Sequence, residues 1–217
     1  MQAQSAAALR LPSQPAPLPP QRERVNVIGV AKRFDRDQEV YGEGDSADYV
    51  YKVVSGAVRQ VRVLADGRRQ ISEFYLPGDV FGVEAGLERR SSAEALAETV
   101  VVVARRSSLT ADPEAAQALW GLAMSDLERS RDHVLTLGRR AAAERVASFL
   151  LELANRVDGG DIVELPMSRQ DMADYLGLTI ETVSRTLTQL QGQGLIEIRC
   201  CRQIRLARRA ALAELCE

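Results

Sequence analysis

The sequence predicts an α+β fold in three parts: an antiparallel β-roll, a long helix, and a C-terminal winged helix-turn-helix. Three observations carry this. Short β-branched runs separated by Gly turns fill residues 38–103. Apolar residues then recur every seven positions from Trp120. Residues 166–191 read PMSRQDMADYLGLTIETVSRTLTQLQ, two short helical patterns around a glycine. The expected boundaries are a proline-rich tail over 1–22, the roll over 23–112, the long helix over 113–141 and the winged domain over 142–217.

The tail holds five of the chain's eight prolines among Ala, Gln and Ser, a composition too poor in apolar surface to order itself. In the roll, DYVYKVVS (48–55) ends at Gly56, and Val58, Val61 and Val63 lead to Asp66-Gly67, a hairpin signal. A strand over Ile71–Leu76 stops at Pro77-Gly78-Asp79, and ETVVVVA (98–104) reads as a buried strand. Aromatics are 5% of a chain that is 46% hydrophobic, so aliphatic residues must fill most of the core.

Trp120, Leu127, Val134 and Ala141 form one seven-residue series, and Ala123, Ser130 and Leu137 form another offset by three. Two readings fit: a seam between two copies of the chain, or a helix packed on its own domain. The length of the helix favours the seam. A second helix is expected over Ala142–Arg156, with Val146, Phe149, Leu150 and Leu153 on its buried face.

Ser168 precedes Asp171 by three residues, a capping-box start for a helix carrying Met172, Ala173 and Leu176. Gly177 breaks it. Thr179 is a good N-cap for the next helix, whose apolar face is Val183, Leu187 and Leu190. Glu181, Ser184 and Arg185 lie at i, i+3 and i+4, so they project together from its first turns. A recognition helix presents such residues to base edges. Arg185 can donate two bonds to guanine, Glu181 can accept from a cytosine amine, and Ser184 can meet a base edge. The alternative for Glu181 and Arg185 is an exposed salt bridge worth about 0.3–0.5 kcal/mol. Ser168, Arg169, Thr179 and Thr182 are placed to meet phosphates of double-stranded DNA.

Beyond Gly194, IEI (196–198) and IRL (204–206) alternate like the strands of a wing. Arg199 and Arg202 at its turn read as phosphate contacts, or as plain solubilising charges. Cys200 and Cys201 sit between them, either unremarkable loop residues or thiols whose oxidation weakens DNA binding. Residues 167–209 carry seven arginines against four acidic residues, although the whole chain has a net charge of −2.

TIETVSRTLTQLQGQGLIEI resembles the helix-turn-helix of the Crp/Fnr superfamily of bacterial transcription regulators. GEGDSADYVYKVVSGAVR and LPGDVFG resemble that family's cyclic-nucleotide-binding-like roll, and SDLERSRDHVLTLGRRAAAERVASFLLELA its dimerisation helix and hinge. About residues 30–210 are covered. The E-x-x-S-R spacing resembles the FixK-like branch. This implies a homodimeric regulator, an activator that touches RNA polymerase, reading a TTGA-N6-TCAA-like palindrome. It also implies control of oxygen-limitation genes: nitrogen fixation, microaerobic respiration or denitrification. In this resemblance Arg185 reads the G·C pair with Glu181 opposite, and Ser184 the neighbouring T·A pair.

Two departures bear on the signal. No cysteine precedes Cys200, so the N-terminal iron–sulfur ligands of oxygen-sensing relatives are missing. Aligned on Glu98-Thr99, Ser91-Ser92 stand where cyclic-AMP-binding members carry an Arg-Ser pair, which argues against that ligand. No cofactor is expected. An enzyme of cupin type is excluded because the sole histidine, His133, lies in the helical stretch. A small-molecule-binding roll with an output other than DNA is the competing reading. No apolar run reaches the roughly 18 residues that span a bilayer, so a cytoplasmic protein without a membrane partner is expected.

Overall fold

The computed structural model describes residues 27–138, 141–156 and 160–216. The proline-rich tail falls outside them. Eight strands make the roll: β1 (Val30–Phe34), β2 (Glu39–Tyr41), β3 (Tyr49–Ser55), β4 (Val58–Val63), β5 (Arg69–Tyr75), β6 (Val80–Phe81), β7 (Ser92–Ala95) and β8 (Thr99–Arg105). They form two four-stranded antiparallel sheets, β1-β8-β3-β6 and β2-β7-β4-β5. The expected strands appear as β3, β4, β5 and β8. Asp66-Gly67 turns β4 into β5, with Gly67 at φ 81° and the Leu64 amide bonded to the Arg68 carbonyl. Phe34, Tyr51, Val58, Tyr75, Phe81 and Val101 fill the interior between the sheets.

A short α1 (Arg106–Ala111) leads into α2 (Pro113–Gly138), which opens on a proline whose missing N–H has no partner to lose there. One face of α2 packs on its own roll, where Leu119 meets Val50, Val80, Ala104 and Leu109. The opposite face does not: Trp120 is 69% exposed, Leu127 42% and Val134 66%. One face therefore packs on its own domain, and the other is left uncovered. Two expected seam positions differ. The helix stops at Gly138, a poor helix former, so Ala141 falls beyond it. Leu137 turns toward the winged domain, where its side chain approaches Gly177.

α3 occupies Ala142–Arg156 as expected, with Val146, Phe149, Leu150 and Leu153 buried. Next come β9 (Ile162–Glu164), α4 (Arg169–Leu176), α5 (Ile180–Gly192), β10 (Ile196–Cys200), β11 (Gln203–Leu206) and α6 (Arg209–Glu214). The wing is a three-stranded sheet, β10-β11-β9. Its core is continuous with the outer face of β4 and β5: Val61, Ile71 and Phe74 join Phe149, Tyr175 and Leu187 in one cluster. Phe74 lies 5.2 Å from Tyr175 and 6.0 Å from Phe149 between ring centroids, distances at which tilted aromatic pairs attract. His133 of α2 stacks on Tyr175 at 4.0 Å.

The capping box of α4 is formed. Ser168 Oγ accepts from the Asp171 amide at 3.1 Å, and Asp171 Oδ2 accepts from the Ser168 amide at 2.9 Å. The other carboxylate oxygen, Oδ1, accepts from Arg59 of β4 and Arg69 of β5, both at 3.0 Å. Burial alone would raise the Asp171 carboxyl. The Ser168 bonds and the two guanidinium charges outweigh that and hold it below the ordinary aspartate value. A depressed folded pKa adds stability that is complete above the unfolded value and is lost as pH falls through the folded one. The melting temperature should therefore drop below about pH 4, and Asp171→Asn should flatten that drop in melts run from pH 6 to pH 3. An equally steep acid limb in the variant would remove Asp171 from the cause.

Candidate nucleic-acid interface

The two helices of the motif meet at Gly177, which takes φ 61° and ψ 41°, a conformation that a Cβ disfavours. Its amide bonds back to the Ala173 carbonyl, and Arg145 of α3 donates to the Leu176 carbonyl at 3.1 Å, so the turn is held from both sides. Thr179 then caps α5: its hydroxyl accepts from the Thr182 amide at 3.2 Å and lies 3.1 Å from the Thr182 hydroxyl. Val183, Thr186, Leu187 and Leu190 are buried, which fixes the opposite face of α5 outward.

That face carries the three expected base-reading residues. Glu181 and Arg185 are exposed and Ser184 is half-buried. No ion pair joins Glu181 to Arg185 among the described residues, so the intrahelical salt bridge is not formed here. The Glu181 carboxyl is held below the usual range, first by its own backbone N–H and then by the Thr179 hydroxyl. It is thus an ionised, acceptor-only group at neutral pH. Ser184 Oγ accepts from Arg169 at 3.3 Å, which leaves its own proton free to donate.

The expected phosphate contacts divide. Arg199 and Arg202 are exposed beside the β10–β11 turn. Thr179 and Thr182 already serve the cap, and the Ser168 hydroxyl donates to Asp171 Oδ2 at 2.7 Å. To donate to a phosphate, the Ser168 hydroxyl has to give up this bond, while both bonds of the capping box stay in place. Cys200 ends β10 while Cys201 lies in the turn, and both are exposed.

The roll carries a cavity of about 190 Å³ beside α2, lined among others by Glu73, Glu84, Arg90 and Asp126. Two of these carboxylates are already paired outside the lining, Glu73 with Arg129 and Arg156 and Asp126 with Arg129. Arg89, which sequence reasoning passed over in the aligned stretch, is only 2% exposed. It donates to the Gly82 and Tyr49 carbonyls and lies 4.2 Å over the Tyr41 ring. Ser91 is buried and accepts from Gln60 at 2.6 Å. Both side chains are thus engaged within the roll. No group of metal-ligating residues occurs among the described residues, and no described helix is long and apolar enough to cross a membrane.

Residues 31–111 match the cyclic nucleotide-binding domain and residues 144–215 the Crp-like helix-turn-helix domain. The nitrogen fixation regulation protein FixK of Azorhizobium caulinodans is 50% identical over 200 residues, covering 88% of this chain and 81% of the relative. The chain belongs to the Crp/Fnr family, in its FixK-like branch. The protein of the same description from Rhizobium meliloti is 46% identical over 179 residues, 82% of this chain and 83% of the relative. The solved structure of FixK2 from Bradyrhizobium japonicum superposes with a TM-score of 0.83 at 48% identity, covering 87% of this chain and 98% of that one. The α+β architecture of roll, long helix and winged helix-turn-helix is thus the family's. The protein is a DNA-binding transcription regulator and not an enzyme. Departure from the cyclic-nucleotide pattern has a measurable outcome. Cyclic AMP at millimolar concentration should leave the melting temperature unchanged, whereas a ligand at 100 times its Kd stabilises by about 2.7 kcal/mol. A clear upward shift would show that the roll retains the site.

Proposed function

We propose that the protein acts in the cytoplasm as a homodimeric activator that reads a TTGA-N6-TCAA-like palindrome and controls nitrogen-fixation and related oxygen-limitation genes. The observation that carries this is the pairing of two uncovered surfaces: the polar face of Glu181, Ser184 and Arg185 on α5, and the apolar stripe of Trp120, Leu127 and Val134 on α2. The first suits a major groove. The second suits its own copy, because an isologous contact buries the same stripe from both chains. A two-fold dimer would set two recognition helices about 34 Å apart, on one side of the duplex. Ser168, Arg169, Thr179, Thr182, Arg199 and Arg202 would hold the backbone, with Ser168 the weakest of them for the reason given above. RNA polymerase is the partner an activator of this family contacts. Names of the similar regulators support the nitrogen-fixation role.

Arg185→Ala should lose about 1–3 kcal/mol of affinity and the preference for one base pair. Gel shifts on the TTGA-N6-TCAA duplex and on its single-base variants measure both. Unchanged affinity and selectivity would sink the base-reading assignment. Trp120→Glu places a charge in the proposed seam and should shift sedimentation toward the monomer while the fold survives. A variant that stays dimeric at micromolar concentration would place the interface elsewhere.

A further inference from the structure

We infer that Arg59 and Arg69 of the roll, acting on Asp171 and Asp174 of α4, set the angle of the helix-turn-helix and thereby the spacer length that the dimer accepts between half-sites. The inference rests on the palindromic reading above. It concerns residues that touch no DNA, so these are positioning residues.

The geometry is specific. Asp171 is 3% exposed and uses its two oxygens in opposite directions, Oδ2 for the capping box and Oδ1 for the roll. The first turn of α4 is therefore pinned to two different strands. Arg59 is itself anchored, because Glu94 accepts its Nε at 2.8 Å and Asp37 lies 3.3 Å from its terminal nitrogen. It is a fixed post, not a mobile side chain. One turn further along α4, Asp174 accepts from Arg69 at 2.8 and 3.2 Å. At the end of α3, Arg156 reaches back to Asp79 at 2.7 Å, to Glu73 at 3.4 Å and to the Phe74 carbonyl. Tyr175, on α4, is flanked by Phe74 of the roll, Phe149 of α3 and His133 of α2.

These ties do not lie along one line, so they restrain rotation as well as separation. Charges buried with few alternative partners resist parting, because one left behind keeps its desolvation cost. A restraint on α4 passes to α5 through the tight Gly177 turn. Spacer length is the property that such a restraint controls. Each added base pair moves one half-site by about 3.4 Å and turns it by about 35°. A clasped domain rejects both displacements, and a released one follows them.

The test uses the full-length protein and duplexes with TTGA half-sites separated by five, six or seven base pairs. Arg69→Met and Asp174→Asn alter a half-exposed pair and should stay folded. Each should weaken binding to the six-base-pair spacer about tenfold, as expected if a tenth of the molecules keep the competent angle. Each should also bring the three affinities closer together. The double variant should be no worse than Arg69→Met alone, which already removes the bond to Asp174 along with the one to Asp171. Arg69→Lys should restore part of the preference. Arg185→Ala serves as the contrast: it should weaken all three duplexes by one common factor and keep their ratio. Arg59→Met should act in the same direction as Arg69→Met, more strongly.

Hydrogen exchange in the absence of DNA gives a second readout. Amides of α4 should exchange faster in the Arg69 and Asp174 variants, while those of β3 and β8 stay unchanged. Variants that keep the wild-type spacer ratio overturn the proposal. If the wild type fails to select TTGA duplexes at all, the palindromic reading falls and exchange alone decides. Unaltered protection of α4 then overturns the clasp.

Discussion

The carboxylate of Asp171 is the point on which the arrangement of the domains depends. It closes the first turn of α4 from one side and receives two arginines of the roll from the other. A helix start needs acceptors for amides that have no partner within the helix. Here that local need is met by a group that also answers to a different domain. The helix cannot be well capped and wrongly placed at once. The apolar cluster running from Ile71 and Phe74 to Tyr175 and Leu187 supplies most of the adhesion. Burial of that kind has no preferred direction, so the charged contacts are what give it an orientation.

Orientation matters because α5 presents its polar face outward from a packed core. Glu181 and Arg185 leave the surface of α5 without an ion pair between them among the described residues, and their opposite face is fully occupied by Val183, Leu187 and Leu190. A backbone held in place by that packing lowers the ordering cost of docking, which is then confined to the exposed side chains. The roll reaches its present state in a similar way. Arg89 occupies the aromatic interior with carbonyls for partners. The fold of a nucleotide-binding domain is kept with this arginine bonded to backbone carbonyls. Position in a fold and activity at that position are separate properties.

Most of the fold was legible because its longest elements repeat. α3 and α5 show helical spacing, Thr179 and Gly177 punctuate them, and β3 and β8 are dense in valine. β2, β6 and β9 span only two or three residues, too few for an alternation to show. β1 has four exposed residues out of five, so it reads as polar chain. The seven-residue series was half misleading: Trp120, Leu127 and Val134 face outward, but Leu137 turns inward and Ala141 lies past the helix. That Glu181, Ser184 and Arg185 share one outward face of α5 was legible from spacing alone. The Arg59 and Arg69 contacts were not, because each looks like a surface charge and its partner is more than 100 residues away. The Ser168 hydroxyl, expected at a phosphate, also bonds to Asp171 within the cap. Local pattern shows which residues can make a contact, but not which contact wins.

The exposed stripe on α2 carries a kinetic and regulatory consequence. In the dimer proposed above, two chains cover it together, and assembly is second order in the protein. When chains are scarce, the number of paired molecules rises with the square of their total; when they are abundant, it rises only in proportion. Occupancy of an operator then changes more steeply than synthesis does at the low end of expression. A regulator that assembles in this way would ignore stray copies and respond once production is sustained, a threshold set by its own concentration.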